Sequence, residues 1–239
     1  MKTAIVTAST KGIGLEIAKK LFINDYKVYM SYYQDEKTAE NVQKFVIGEN
    51  NAIISKVNLS DYSKSMKYLE EILEQEKKGI DCIVFNAGGT LKADIGEIQY
   101  DEWKRCFDMN LNIPFFMLQR AAKYINREGR IVFMSSVMSI YEHSSSIAYG
   151  VSKAAINSLT AYLVKYFCGR EITVNAVIVG FTNTSMVKRT PEHEERIKSK
   201  IALGRFAEPE EIAQVVWHII QDSYINGSLI EVDGGYCYQ

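Results

Sequence analysis

Short apolar runs rich in β-branched residues alternate with longer segments of helical period, and that alternation constrains the fold more than any other feature. The runs lie at 3–8, 27–32, 52–57, 82–85, 130–134, 173–179 and 229–232. Some are apolar without a break, as in Ile131-Val132-Phe133-Met134, which indicates burial on both faces. Between them, apolar residues recur at helical spacing, as in Leu15, Ala18 and Phe22, or Met66, Leu69, Ile72 and Leu73. Strands alternating with helices build a parallel sheet through right-handed crossovers. The expected fold is α/β: a single doubly wound domain spanning 1–239, about seven parallel strands with helices on both faces. Such sheets bind ligands beyond the carboxyl ends of their strands, so functional residues should follow each run.

Composition narrows the class. The chain has 239 residues, with 28 Lys and Arg against 29 Asp and Glu, a net charge of −1. No basic patch points to nucleic acid or a membrane surface. Cys82, Cys106, Cys168 and Cys237 form no C-x-x-C pair and have no His at ligand spacing; free thiols and no metal site are expected. No signal-like apolar segment precedes the first run, and a cytoplasmic location follows as an expectation.

The first run opens through Thr7-Ala8-Ser9-Thr10-Lys11-Gly12-Ile13-Gly14 into a helical segment. Glycines there let backbone approach a pyrophosphate, and the helix start supplies N–H donors; a plain helix-start turn is the alternative. The second run ends at Ser31 and Tyr32 with no carboxylate to take a ribose 2′-hydroxyl. Lys11 could meet a 2′-phosphate instead, which favours NADP(H), with NAD(H) left open because Asp35 and Glu36 follow closely. Asn86-Ala87-Gly88-Gly89 after the fourth run reads as a close backbone approach or a plain turn. Asn58 and Leu59 follow the third run, and Gly180, Thr182 and Thr184 the sixth, at the strand ends where such a sheet would bind its cofactor.

Tyr149 and Lys153 share one helical face. Tyr33/Lys37 and Tyr100/Lys104 have the same spacing, but only Tyr149 follows a run ending in serines, Ser135 and Ser136, and opens a long apolar helix over 148–167. In this order the chain resembles the short-chain dehydrogenase/reductase family. The resemblance rests on the 7–14 loop, Asn86-Ala87-Gly88, Asn110, Ser136, Tyr149, Lys153, Gly180 with Thr184, and Val232-Asp233-Gly234-Gly235. It implies a Rossmann fold, a catalytic tetrad of Asn110, Ser136, Tyr149 and Lys153, and cofactor contacts by Tyr149 and Lys153, with Lys153 holding the ribose hydroxyls. Ser136 and Tyr149 would donate to a carbonyl oxygen as hydride arrives from the nicotinamide. Tyr149 would give the proton, its pKa lowered by the Lys153 ammonium and the oxidised nicotinamide. Asn110 would anchor a water that reconnects Lys153 to solvent. Three positions depart from the family pattern: Ala8 stands for the first loop glycine, Phe85 for an asparagine, and Val179 for a proline.

Within the family the chain is most similar to 3-oxoacyl-acyl-carrier-protein reductases, which implies an NADP(H)-dependent reduction of a 3-oxoacyl thioester. Arg127 and Arg170 fall where those reductases place basic residues at the active-site mouth to meet an acyl carrier protein. A reductase of free alcohols, sugars or steroids is the competing reading, and a nucleotide sensor without catalysis a third. Tyr141, Phe181 and Met186 are candidates for an apolar pocket or simply for core, and the polar stretch 183–205 for a substrate lid or a solvated helix. The resemblance further implies a homotetramer pairing the helices at 101–126 and 148–167. Phe115, Phe116, Leu159 and Leu163 could serve either core or interface, and the tail from Gly235 could pack there too.

Overall fold

All seven apolar runs are strands of one sheet. The computed structural model describes residues 1–45, 51–141, 143–185 and 190–237. The strands are β1 (Lys2–Val6), β2 (Tyr26–Tyr32), β3 (Ala52–Lys56), β4 (Ile80–Phe85), β5 (Ile125–Ser136), β6 (Thr173–Val179) and β7 (Leu229–Val232). Their order is β3-β2-β1-β4-β5-β6-β7, and every neighbouring pair is parallel. The chain winds outward from β1 through β2 and β3, then returns to begin β4 on the other side of β1. The crevice between β1 and β4 is therefore the point where strand order reverses, the place where such sheets bind ligands.

The helices among the described residues are α1 (Gly12–Phe22), α2 (Glu36–Phe45), α3 (Tyr62–Gln75), α4 (Tyr100–Phe107), α5 (Ile113–Ala121), α6 (Ile147–Tyr166), α7 (Pro191–Lys198) and α8 (Pro209–Gln221). They explain the unbroken apolar strands. Successive strand residues point to opposite faces, and here each face has its own core. Ile5, Ile83 and Phe133 pack with Leu69 of α3, Leu118 of α5 and Ile156 of α6. Their neighbours Val6, Val84 and Val132 pack with Ile17 of α1 and Val216 of α8 on the other side. Phe85 stacks on Phe133 with centroids 4.9 Å apart, so its departure from the family pattern is accommodated in the core.

A third, smaller cluster ties α7 to the body through Ile178, Ile197, Ile201, Phe206 and Tyr236. Tyr236 meets Phe181 and Tyr141 edge-on, at 5.2 and 5.5 Å. The tail as far as Tyr236 is thus engaged inside its own chain, and 238–239 lie outside the described residues.

One expected helix is interrupted. The stretch 101–126 contains α4, a π-helical turn at Asp108–Asn112, α5 and a 3₁₀ turn at Ala122–Tyr124 before β5 begins. A π turn fits an extra residue into the helical path and often marks a functional position. Here it carries Asn110 inward, to 2% exposure.

The passage from β1 to α1 holds strain. Alanine suits the first loop position without cost only at negative φ, but Ala8 has φ +51°. That left-handed conformation costs an L-residue about 1–2 kcal/mol. It is held because Ala8 N donates to Ser31 Oγ at 3.0 Å and Ser9 N to Ser31 O at 2.9 Å. Replacing Ala8 by Gly should therefore stabilise the fold, though by only ~0.5–1 kcal/mol, because glycine also loosens the unfolded chain. A thermal melt should show Tm rising by ~2 °C; an unchanged or lower Tm would mean that the loop stores no strain.

Candidate active site

The loops that leave β1 and β4 are latched together. Thr7 Oγ1 accepts from the backbone N–H groups of Asn86 and Ala87, each at 2.9 Å. Asn86 Nδ2 donates back to the carbonyls of Thr7 and Ala8, each at 3.0 Å. Gly14 packs against the same latch: a Cβ there would lie 2.5 Å from Asn86 Nδ2 and 2.6 Å from Ala8 O. At the start of α1, Lys11 makes no side-chain cap and the first turn carries no acid. Its early N–H groups and positive dipole end are left for an anion. This cradle fits the pyrophosphate of a dinucleotide.

The second half of the site comes from β5 and α6. Ser136 ends β5, Tyr149 lies in the first turn of α6, and Lys153 one turn on. Lys153 is 4% exposed and its Nζ donates to Met134 O at 2.7 Å. Burial weakens the ammonium and lowers its pKa to about 8, against a smaller opposing effect of the Cys106 thiol. Gly88 brings the β4 loop to the same point, since a Cβ on it would sit 3.1 Å from Asn110 Oδ1 and 3.3 Å from Lys153 Nζ.

Tyr149 behaves differently from the expectation of a lowered pKa. The protein alone raises it: burial dominates, a hydrogen bond with Ser136 pulls it down, and Cys106 adds a small push upward. Desolvation penalises the phenolate, and the nearby lysine, itself weakened by burial, does not reverse that. Tyr149 therefore keeps its proton at neutral pH, as a proton donor requires.

These residues line a cleft of about 630 Å³. Lys11, Gly12, Ile13 and Gly14 form its α1 edge, with Asn86 and Gly88 from the β4 loop. Ser136, Tyr149 and Lys153 line it from β5 and α6, and Gly180, Thr182 and Thr184 from the loop after β6. Val179, at the position of the family's proline, also lines it. Neither Tyr33/Lys37 nor Tyr100/Lys104 contributes to this lining, and Tyr33 and Tyr100 are exposed.

Several expected cofactor contacts support the loop from behind. Ser9 and Ser31 are fully buried; Ser9 Oγ donates to Val6 O at 2.7 Å, and the Ser31 hydroxyl serves Ala8. Thr7, Thr10 and Ala87 are buried as well, and Tyr32 is half-buried at the end of β2. Leu59 belongs to the core beneath α3. Asn58 caps its own turn, accepting from Ser60 N at 3.1 Å, and borders a separate hollow with Asp61 and Tyr62. Asn110 also stays behind the wall. Its Oδ1 accepts from Gly89 N at 3.0 Å, and its Nδ2 faces Gly89 O at 2.9 Å, Ser152 Oγ at 3.1 Å and Cys106 Sγ at 3.3 Å.

Two expectations need correction. Arg127 lies in the bulged start of β5, before the regular ladder that begins at Arg130; that ladder alone puts about 20 Å between it and Ser136 at the rise of an extended strand, and Arg127 is paired with Glu171. Arg170 donates to the carbonyls of Ala122, at 2.8 Å, and Ile125. Both sit at the amino ends of β5 and β6, whereas this chain's cleft lies beyond the carboxyl ends. Of the three candidates for an apolar wall, Phe181 lines the cleft, Tyr141 packs behind it on Tyr236, and Met186 lies outside the described residues. Sequence reasoning missed Lys92, Met138 and Tyr236 in the lining, and offered His193, Arg196 and Lys200 only as part of the 183–205 stretch.

The buried lysine can be tested without any reaction. In an NMR titration of lysine-labelled protein, one side chain should titrate near pH 8, and that signal should vanish in Lys153→Met. A spectrum in which every lysine titrates above pH 10 would contradict the burial argument.

Known proteins match this arrangement over nearly its whole length. A family model described as enoyl-(acyl carrier protein) reductase matches residues 7–237. The chain is 32% identical to a 3-oxoacyl-(acyl-carrier-protein) reductase of Thermotoga maritima, covering 98% of this chain and 97% of that one. It is 33% identical to a 3alpha-hydroxysteroid dehydrogenase of Mediterraneibacter gnavus, covering 98% and 96%. A short-chain dehydrogenase from Burkholderia cenocepacia, solved in complex with NADP, superposes with a TM-score of 0.91 at 26% identity, covering 98% and 97%. With the latched switch point and the Ser136, Tyr149 and Lys153 constellation in place, the chain belongs to the short-chain dehydrogenase/reductase family of NAD(P)-dependent oxidoreductases.

Proposed function

We propose that this enzyme is an NADP(H)-dependent reductase that converts a ketone to a secondary alcohol, with a 3-oxoacyl thioester as its substrate. The observation that carries the reading is the meeting of the Ser136 and Tyr149 hydroxyls in a cleft that also exposes a phosphate cradle. When bound, the nicotinamide supplies the hydride. The chain's own residues do the rest. Ser136 and Tyr149 donate to the carbonyl oxygen, where negative charge develops in the transition state. Tyr149 then transfers its proton. Lys153 places a cation beside the phenol and the ribose site, where it favours the phenolate left behind. Asn110 acts as a positioning residue, holding Gly89 and α6 through its side chain. Intact donors and a buried lysine favour turnover over a purely sensing role.

NADP(H) is favoured over NAD(H) by the β2 end. Tyr32 closes the strand without a carboxylate, and Asp35 is engaged with Thr38 N at 3.1 Å and Lys11 Nζ at 3.3 Å. A 2′-phosphate would compete for Lys11. The NADP-bound Burkholderia structure supports the same choice.

The thioester reading is supported by the Thermotoga relative. It does not depend on Arg127 and Arg170, which lie away from the cleft. A steroid or other free alcohol is the second reading, favoured by the Mediterraneibacter relative and by the aromatic wall of Phe181 and Tyr236. For assembly we favour a homotetramer. Leu159 and Leu163 pack in the core, while Phe116 of α5 and Val151, Tyr162 and Tyr166 of α6 stay exposed and available for pairing. No helix among the described residues is long and apolar enough to cross a membrane, and a cytoplasmic location fits this activity.

A substrate panel tests the reading: acetoacetyl and longer 3-oxoacyl thioesters against steroid ketones, followed by NADPH oxidation. Thioesters should give the highest kcat/KM, and turnover of steroids alone would transfer the assignment to the second reading. On the best substrate, Tyr149→Phe should lower kcat by ~10³-fold while leaving the NADPH Kd within about threefold, since what is lost is a transition-state proton and hydrogen bond. Near-normal kcat would overturn the mechanism. Lys11→Ala should cut the NADPH-over-NADH preference about tenfold, the loss of one charge-assisted contact; an unchanged preference would remove Lys11 from the cofactor assignment.

A further inference from the structure

The cleft is lined by one sign of charge. Its described wall carries Lys11, Lys92, Lys153, Arg196 and Lys200, and no Asp or Glu. The chain as a whole is nearly neutral, with 28 Lys and Arg against 29 Asp and Glu, so the excess is a matter of placement. A concave site lined by one sign focuses its field inward and concentrates the opposite ion.

A dinucleotide accounts for Lys153, at the ribose, and Lys11, at a 2′-phosphate. It leaves Lys92, in the loop after β4, and Arg196 and Lys200, on α7 and the turn that follows it. α7 is sorted by charge. His193, Arg196, Ile197 and Lys200 recur three, four and seven residues apart, one face of a helix, and all four line the cleft. Glu194 and Glu195 project elsewhere and share Lys198, at 3.9 and 2.9 Å. Arg196 is oriented within the face, its Nη2 donating to His193 Nδ1 at 3.0 Å. Among the described residues, Lys92, Arg196 and Lys200 have no carboxylate partner. All three are exposed along the cleft, where an anionic ligand could reach them.

We propose that Arg196 and Lys200, with Lys92, bind an acidic group carried by the carbonyl substrate, a phosphate or a carboxylate, so that the enzyme selects anionic ketones over neutral ones. The inference rests on the reading of this cleft as a carbonyl-reductase site. The two sources share one chemistry, an anion attached at some distance from the reacting carbonyl. A phosphopantetheine thioester would offer the phosphate, and a long oxo acid the carboxylate.

Two matched pairs test it, each assayed at saturating NADPH: acetoacetyl-pantetheine against its 4′-phosphate, and a medium-chain oxo acid against its methyl ester. The anionic member of at least one pair should have a kcat/KM about tenfold higher, and this ratio should fall towards one in Arg196→Gln/Lys200→Gln and at high salt. Which pair responds tells phosphate from carboxylate. Calorimetric titration of the NADP⁺-loaded protein with pantetheine, 4′-phosphopantetheine, the oxo acid and its ester reads the same preference without turnover. Equal kcat/KM and equal affinity within both pairs would overturn the proposal. So would a tenfold rise in the NADPH Kd of the double variant, because the cations would then serve the cofactor. If no ketone is turned over but the calorimetric preference for the anion persists, the reductase reading fails and the anion site stands.

Discussion

The hydrogen bonds between Thr7 and Asn86 hold the two halves of the molecule in register where it matters. A parallel sheet that reverses its winding leaves a gap above the strands on either side of the reversal. Without a tie, the loops bordering that gap would be independent surface segments. Here one hydroxyl takes two backbone N–H groups, and one amide returns two bonds to carbonyls. Gly14 then seats α1 against the same amide. The phosphate cradle, the α1 terminus and the Gly88 approach to Lys153 all inherit their positions from this tie.

Burial sets the electrostatics of the other half. The same low-dielectric surroundings penalise the charged forms of Lys153 and Tyr149, so one pKa falls and the other rises. Two side chains that titrate close together when free are thereby driven apart, the lysine down to about 8 and the tyrosine upward. The protein holds a protonated phenol beside a moderately weak ammonium, and the phosphates and nicotinamide of a bound dinucleotide would shift both. The Asn110 network completes the setting by fixing the β4 loop against α6 through Gly89 and Ser152.

The sheet was legible in the sequence because strands buried on both faces read as unbroken apolar runs, and all seven emerged. The meeting of Ser136, Tyr149 and Lys153 in one cleft was legible because their order along the chain accompanies that sheet. What stayed hidden was the direction of side chains. Ser9 and Ser31 lie beside the cofactor loop, yet their hydroxyls turn inward to serve backbone groups. The π turn that carries Asn110 leaves no mark in a helical pattern, since the surrounding residues keep apolar spacing. Arg127 and Arg170 matched a family position, but sequence position does not say which edge of the sheet a residue occupies. The spacing of His193, Arg196, Ile197 and Lys200 was present in the sequence all along. Its meaning depended on which face α7 turns to the body, and that is decided by Ile178, Phe206 and Tyr236, distant in sequence.

The tie at the switch point also dictates an order of assembly. β1 can pair with β2 once little more than the first thirty residues exist, but the partners of Thr7 lie in the loop that follows β4, some eighty positions downstream. The β1-α1-β2 unit already holds Ala8 through Ser31, but the bonds that Asn86 makes to the Thr7 and Ala8 carbonyls wait for the loop after β4. Domains commonly condense as their distant contacts become available, with closure entropy opposing the long-range ones. The loop after β1 is therefore complete only when β4 and the loop that follows it are in place.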